Sequence, residues 1–152
     1  MKHLKFLLII TITVLVGACE EKEPTDNPVT VEDGTYIGTL NVDQNDGTFH
    51  TQDNVSIVLE VEESSATIKM MQVSFASGMP VKLDMTIPDI TTVAISEGLS
   101  LSGDSIVPLA MGGEFPVYTI KELTGEVTPE TIYLNMMCGV YPLTFSGIVL
   151  GE

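Results

Sequence analysis

Val81-Lys82-Leu83-Asp84-Met85-Thr86-Ile87 alternates apolar and polar residues without a break. Successive side chains of a β-strand point to opposite faces, so this order gives one apolar face, Val81, Leu83, Met85 and Ile87, and one polar face. A helical period would scatter the same residues around a cylinder. The pattern recurs on either side. Val55, Ile57, Leu59 and Val61 face one way with Ser56, Glu60 and Glu62 opposite, and Tyr36, Gly38, Leu40 and Val42 form an earlier face. Ile132, Leu134 and Met136 make another, and Tyr141, Leu143, Phe145 and Gly147 the last. Less regular segments lie at 67–75, 91–96, 99–101 continued by 105–109, and 117–127.

Turn chemistry falls between these segments. Asn45-Asp46-Gly47 suits a hairpin with positive φ, Ser77-Gly78 and Gly112-Gly113 are breakers, and Pro88, Pro116 and Pro129 are expected to end strands. Beyond residue 18 the chain has 14 Val, 10 Ile and 15 Thr against 4 Ala, a composition that fits a pleated surface far better than a helix. About eight strands in residues 33–152 leave roughly fifteen residues per strand and connection. The expected fold is all-β: an antiparallel up-and-down barrel of about eight strands, with a β-sandwich as the alternative.

The whole chain has 152 residues, 21 acidic side chains, 6 lysines and no arginine, a formal charge of −15. Nucleic acid is therefore excluded as a partner, because phosphate neutralisation needs clustered Lys and Arg. Two cysteines exclude a disulfide scaffold. The first residues carry an address. Lys2, His3 and Lys5 precede an apolar run, Phe6 to Val16, interrupted only by Thr11 and Thr13. At about 1.5 Å per residue the run is too short to span a bilayer and reads as the core of a signal peptide.

Leu15-Val16-Gly17-Ala18-Cys19 resembles the lipobox of bacterial lipoproteins. The resemblance implies cleavage before Cys19 and acylation of its thiol, the one side chain nucleophilic enough for that transfer at neutral pH. Residues 1–18 are then a lipoprotein signal peptide, 19–32 an acidic flexible tether, and 33–152 the folded domain. Cleavage leaves all 21 acids against 4 lysines, a formal charge of −17. Two or three acyl chains hold such a protein to a membrane without crossing it. Glu20-Glu21-Lys22-Glu23 resembles the acidic signal that sends some lipoproteins to the outer face of the outer membrane; a plain solvated linker facing the periplasm is the alternative.

Gly34-Thr35-Tyr36-Ile37-Gly38-Thr39-Leu40-Asn41-Val42, directly after the tether, and the closing Thr144-Phe145-Ser146-Gly147 are similar to the first and last strands of calycin-like domains in small bacterial lipoproteins. The resemblance covers residues 33–150 and implies a barrel related in shape to lipocalins. The chain has no Trp and so lacks the Gly-x-Trp signature of true lipocalins, whose ligand chemistry is not carried over.

Little in the domain suggests a reaction. After cleavage His50 is the only histidine, and it reads as a loop residue; an enzyme is not expected. One histidine and one thiol, Cys138, cannot supply a usual zinc site, and no metal or cofactor is expected. Asp43-Gln44-Asn45-Asp46-Gly47 has the look of a calcium loop but puts Asn54 where the closing glutamate belongs, so it reads as a turn. Met70 and Met71 must point to opposite faces, as must Met136 and Met137, which leaves Met136 and Cys138 as the one pair of sulfurs on a shared face. Core packing is the expected role of the thioethers. Asp104-Ser105-Ile106 resembles the acceptor of a bacterial protein O-glycosylation system, which makes Ser105 a candidate modification site.

The expected function is that of a lipid-anchored cell-envelope binding module for a small apolar ligand. Its cavity would be lined by Tyr36, Leu40, Ile57, Leu59, Leu83, Met85, Leu134, Met136 and Phe145. The alternative is an interaction subunit of an outer-membrane surface complex, with the same residues filling a solid core. The partners are membrane lipid through acylated Cys19 and either the apolar ligand or an envelope protein.

Overall fold

The structure is a computed structural model that describes residues 29–151. The signal segment 1–18, the lipidation site Cys19 and most of the tether 19–32 lie outside the described residues. Alternation of apolar and polar residues forms strands β1 (Gly34–Asp43), β2 (Phe49–Val61), β3 (Ser65–Val73), β4 (Leu83–Ile95), β5 (Gly98–Gly103), β6 (Leu109–Ala110), β7 (Gly113–Glu114), β8 (Ile120–Val127), β9 (Thr131–Cys138) and β10 (Tyr141–Val149). Each strand pairs antiparallel with its neighbours. β1, β2, β3, β4, β5, β8, β9 and β10 follow one another around an eight-stranded barrel, and β1 closes it on β10 from Tyr36↔Val149 to Val42↔Leu143. Closure settles the choice against a sandwich.

The short hairpin β6–β7 lies on β4, through Met85↔Ala110 and Thr86↔Leu109, and turns at Met111-Gly112, both with positive φ. A 3-10 turn, Pro116–Tyr118, leads from the hairpin into β8. The turn at Asn45-Asp46-Gly47 has the expected backbone, with φ of +60° at Asn45 and +86° at Gly47. Its acids serve the turn itself: Asp43 Oδ1 accepts from the Asn45 amide and Asp46 Oδ1 from the Thr48 amide and hydroxyl.

Four strands are longer or differently phased than simple alternation suggests, and bulges are the reason. Pro88 does not end a strand. β4 runs through it, because Ile87 pairs with Ile68 and Ile90 with Ala66, so one extra residue is absorbed at Pro88-Asp89. A bulge needs no amide from Pro88, and Asp89 takes φ of +55° there. The inward face therefore passes from odd to even numbers, and Ile90 is fully buried. The same device, with one residue at positive φ, recurs at Asn54 in β2, Gln72 in β3 and Glu122 in β8.

Other boundaries also differ. Val81 lies before β4 and is exposed, outside the face that its spacing predicts. Ser105–Leu109 does not continue β5, because the chain turns at Ser105, with φ of +56°, and only Ile106 bridges to Ile120. Val117 belongs to the 3-10 turn rather than to a strand.

The inward side chains form one continuous hydrophobic cluster along the barrel. At the entry end, where Val31 leads into β1, Val31, Tyr36, Val127 and Ile132 pack together with the cluster, and Tyr36 Oη donates to the Thr128 carbonyl at 3.2 Å. Burial of apolar side chains on this scale is the main source of stability in a domain of this size.

Candidate functional site

All nine residues proposed from the sequence as cavity lining point into the barrel. Tyr36, Leu40, Ile57, Leu59, Leu83, Met85, Leu134, Met136 and Phe145 are each at most 5% exposed and belong to one continuous hydrophobic cluster. Ile68, Met70, Ile87, Ile90 and Leu143 interleave with them. The sulfurs divide as strand geometry requires. Met70, Met85, Met136 and Cys138 are buried, and Met71 and Met111 are exposed.

The far end of the barrel, opposite Val31, is closed by loops. Phe75 is buried there, with its ring centroid 4.6 Å from that of Tyr118 and 6.5 Å from that of Tyr141, and Phe115 lies 5.4 Å from Tyr118. Gln44 Nε2 donates to the Phe75 carbonyl at 2.9 Å, which ties the β1–β2 turn to this aromatic cap. Beneath the cap the Cys138 Sγ lies 3.7 Å from the Tyr118 carbonyl oxygen. Burial pushes the Cys138 thiol up to about 12, far from the range of a reactive thiolate.

His50 is in β2, not in a loop, because Val42↔His50 and Asp43↔Phe49 extend the ladder to the start of the strand. Its Nε2 lies 2.9 Å from Ser74 Oγ. The Ser74 hydroxyl donates to Gln52 Oε1 at 3.1 Å, and the Ser74 amide donates to the same oxygen at 3.0 Å. His50 Nε2 and Ser74 Oγ share one hydrogen bond, and the Ser74 hydroxyl also lies within reach of Gln52 Oε1. The trio ties β2 to the segment after β3.

Acids elsewhere hold the bulges. Asp84 Oδ1 accepts from the Gln72 amide and side chain, both at 2.8 Å, and those bonds hold its carboxyl below the usual range. Asp104 Oδ1 accepts from the Glu122 amide at 3.1 Å while Oδ2 accepts from Ser105 Oγ at 2.9 Å, with the same effect. Ser105, the candidate acceptor for glycosylation, is thus exposed at the apex of a tight turn with its hydroxyl bonded to Asp104. Glu60 pairs with Lys69 on the outer surface, about half exposed, an ion pair of small energetic weight.

No family model, curated protein or solved structure matches the chain. The site must therefore be read from its own geometry, which is most uneven on the outside of the barrel. The four most exposed large apolar side chains among the described residues, Met111, Val117, Phe49 and Val140, stand at the far end with Val81 and Leu109, while Val93, Tyr133, Ile148 and Leu150 are exposed toward the entry end. Among the described residues, the segments at the entry end carry Glu32, Asp33, Glu62, Glu63, Glu97 and Glu130 and no lysine. Sequence periodicity could not reveal this, since the far-end residues lie in loops, at strand starts and in the added hairpin. The outer faces of the strands carry many Thr, Ser, Asp and Glu residues beside these apolar ones.

Proposed function

We propose that this protein is a lipid-anchored, calycin-like barrel of the bacterial cell envelope, held by acylated Cys19 and working as an interaction module through its outer surface. The observation that carries the choice of surface over interior is the burial of all nine inward residues in a single cluster. An eight-stranded barrel is just wide enough to be filled by its own side chains. The lipobox-like Leu15–Cys19 and the acidic run after it support the anchor and an outer-membrane location. Acids at both ends support a body held off an anionic bilayer, and a tether that joins the domain at the entry end supports a far end turned outward. Affinity capture from solubilised envelopes with the acylated protein tests the module directly. A stoichiometric envelope protein is expected, and recovery of the protein by itself argues against the reading.

The second reading, a small apolar ligand inside the barrel, is favoured by one feature. The far end is closed by loops and aromatic rings rather than by strands, and Met70, Met85 and Met136 beneath can adapt their shape. Thermal unfolding with fatty acids, sterols and retinoids separates the two. A filled interior gives no shift with any of them, and a rise of several degrees with one class establishes the ligand reading.

A further inference from the structure

We infer that the far rim of the barrel docks a basic, amphipathic segment of a partner protein, one that presents apolar side chains bordered by lysine or arginine. This inference rests on the outer-surface reading above and names the face and the chemistry.

The rim is exposed where a soluble surface would normally be polar. Met111 is 78% exposed, Val117 71%, and Phe49 and Val140 68% each. Three of these are neighbours. The Val117 carbonyl lies against Gly139, so close that a Cβ there would stand 2.4 Å from it, and Val140 follows directly. Asn45 Nδ2 donates to the Val140 carbonyl at 2.9 Å, which draws the β1–β2 turn to the same place. Phe49, at the end of that turn, borders a hollow of about 110 Å³ with Pro142 on its other side. Met111 tops the β6–β7 hairpin across the rim, above Asp84.

The support beneath is rigid. Phe75, Phe115, Tyr118 and Tyr141 pack ring against ring, so the rim needs little ordering when it binds, and preorganised apolar groups make the strongest anchors.

Charge selects the occupant. Among the described residues, Lys82 and Lys121 are the lysines of this end. Asp43 lines the hollow beside Phe49, Asp46 stands in the turn that Asn45 ties to Val140, and Glu114 pairs with Leu109 in the hairpin. A second copy would bring the same acids against them, and anionic lipid or nucleic acid would be repelled in the same way. A basic partner complements both the apolar centre and its acidic border.

The test titrates the ¹⁵N-labelled full chain with a synthetic leucine/lysine amphipathic peptide, a leucine/glutamate counterpart and phosphatidylcholine vesicles. Amide signals of Phe49, Val117, Val140 and Met111 are expected to move with the lysine peptide and to stay in place with the other two. Binding is expected to weaken severalfold in about 0.5 M salt. It is expected to fall at least about tenfold in V117S/V140S, whose exposed changes leave the melting temperature unaltered.

Equal response to the glutamate peptide overturns the charge argument, and a response to vesicles with none to peptide overturns a protein occupant. Movement centred on Ile37 and Ile148 overturns this face while leaving the outer-surface reading intact. Silence at millimolar peptide overturns the inference, whereas the outer-surface reading itself fails only if affinity capture from envelopes recovers no partner.

Discussion

Cys138 shows what burial does to one ionisable group. Its thiol is pushed from an ordinary value of 9.0 up to about 12 by desolvation in the core. Above pH 9 the unfolded chain releases this proton while the folded chain keeps it, so stability is lost as pH rises from about 9 toward 12. Burial raises Tyr36 and Tyr118 as well, which steepens the loss above their ordinary value of 10.0. Urea unfolding between pH 8 and pH 11 is expected to show a falling midpoint, with a shallower fall in Cys138→Ala. Two glycines are just as specific. Gly38 faces Gly147 across the closing seam of β1 and β10, where a Cβ would stand 2.0 Å from the Ser146 carbonyl oxygen. Gly38→Ala must force the seam apart, and a loss of about 3 kcal/mol or more is expected in denaturant unfolding. Gly139 combines φ of +62° with the close Val117 carbonyl, so Gly139→Ala is expected to disturb the rim as well as the β9–β10 turn.

Among the elements, β4 teaches most about what the sequence makes legible. Leu83, Met85 and Ile87 are readable as one inward face because alternation is the physical consequence of the pleat. Pro88 misleads, because a proline ends a strand only where its missing amide is needed, and the bulge removes that need. Positive φ at Gln72 and Glu122 has no signature in residue type. It becomes intelligible only with Asp84 and Asp104, whose carboxylates accept the amides released at those bulges across 12 and 18 residues of sequence. Both carboxyls are held below the ordinary 3.8 by these bonds, so their contribution is present above that value and is lost as pH falls below it. Asp84→Ala is expected to lower the melting temperature by about a few degrees at pH 7, with the difference from the unmutated chain vanishing in strong acid.

For the whole molecule, closure and one continuous buried cluster follow from the strand order and the inward residues together. The membership of the core could be read from spacing, since every residue named for the interior is buried there. Whether those residues enclose space or fill it depends on how side chains from eight strands meet, and no one-dimensional pattern holds that information. The rim is invisible to periodicity for a related reason: Phe49, Met111, Val117 and Val140 are far apart in sequence, and only closure brings their strands and loops to one end. Phe145 lies near the middle of the packing, and Phe145→Ala is expected to cost about 3–5 kcal/mol by calorimetry or denaturant unfolding while opening a dry cavity. Crystals of the unmutated protein and of this variant under xenon pressure measure the interior directly, because xenon enters apolar voids and has no place in a packed core. A solid barrel predicts xenon inside the variant and none inside the unmutated protein. Xenon among Met70, Met85 and Met136 of the unmutated chain would contradict it.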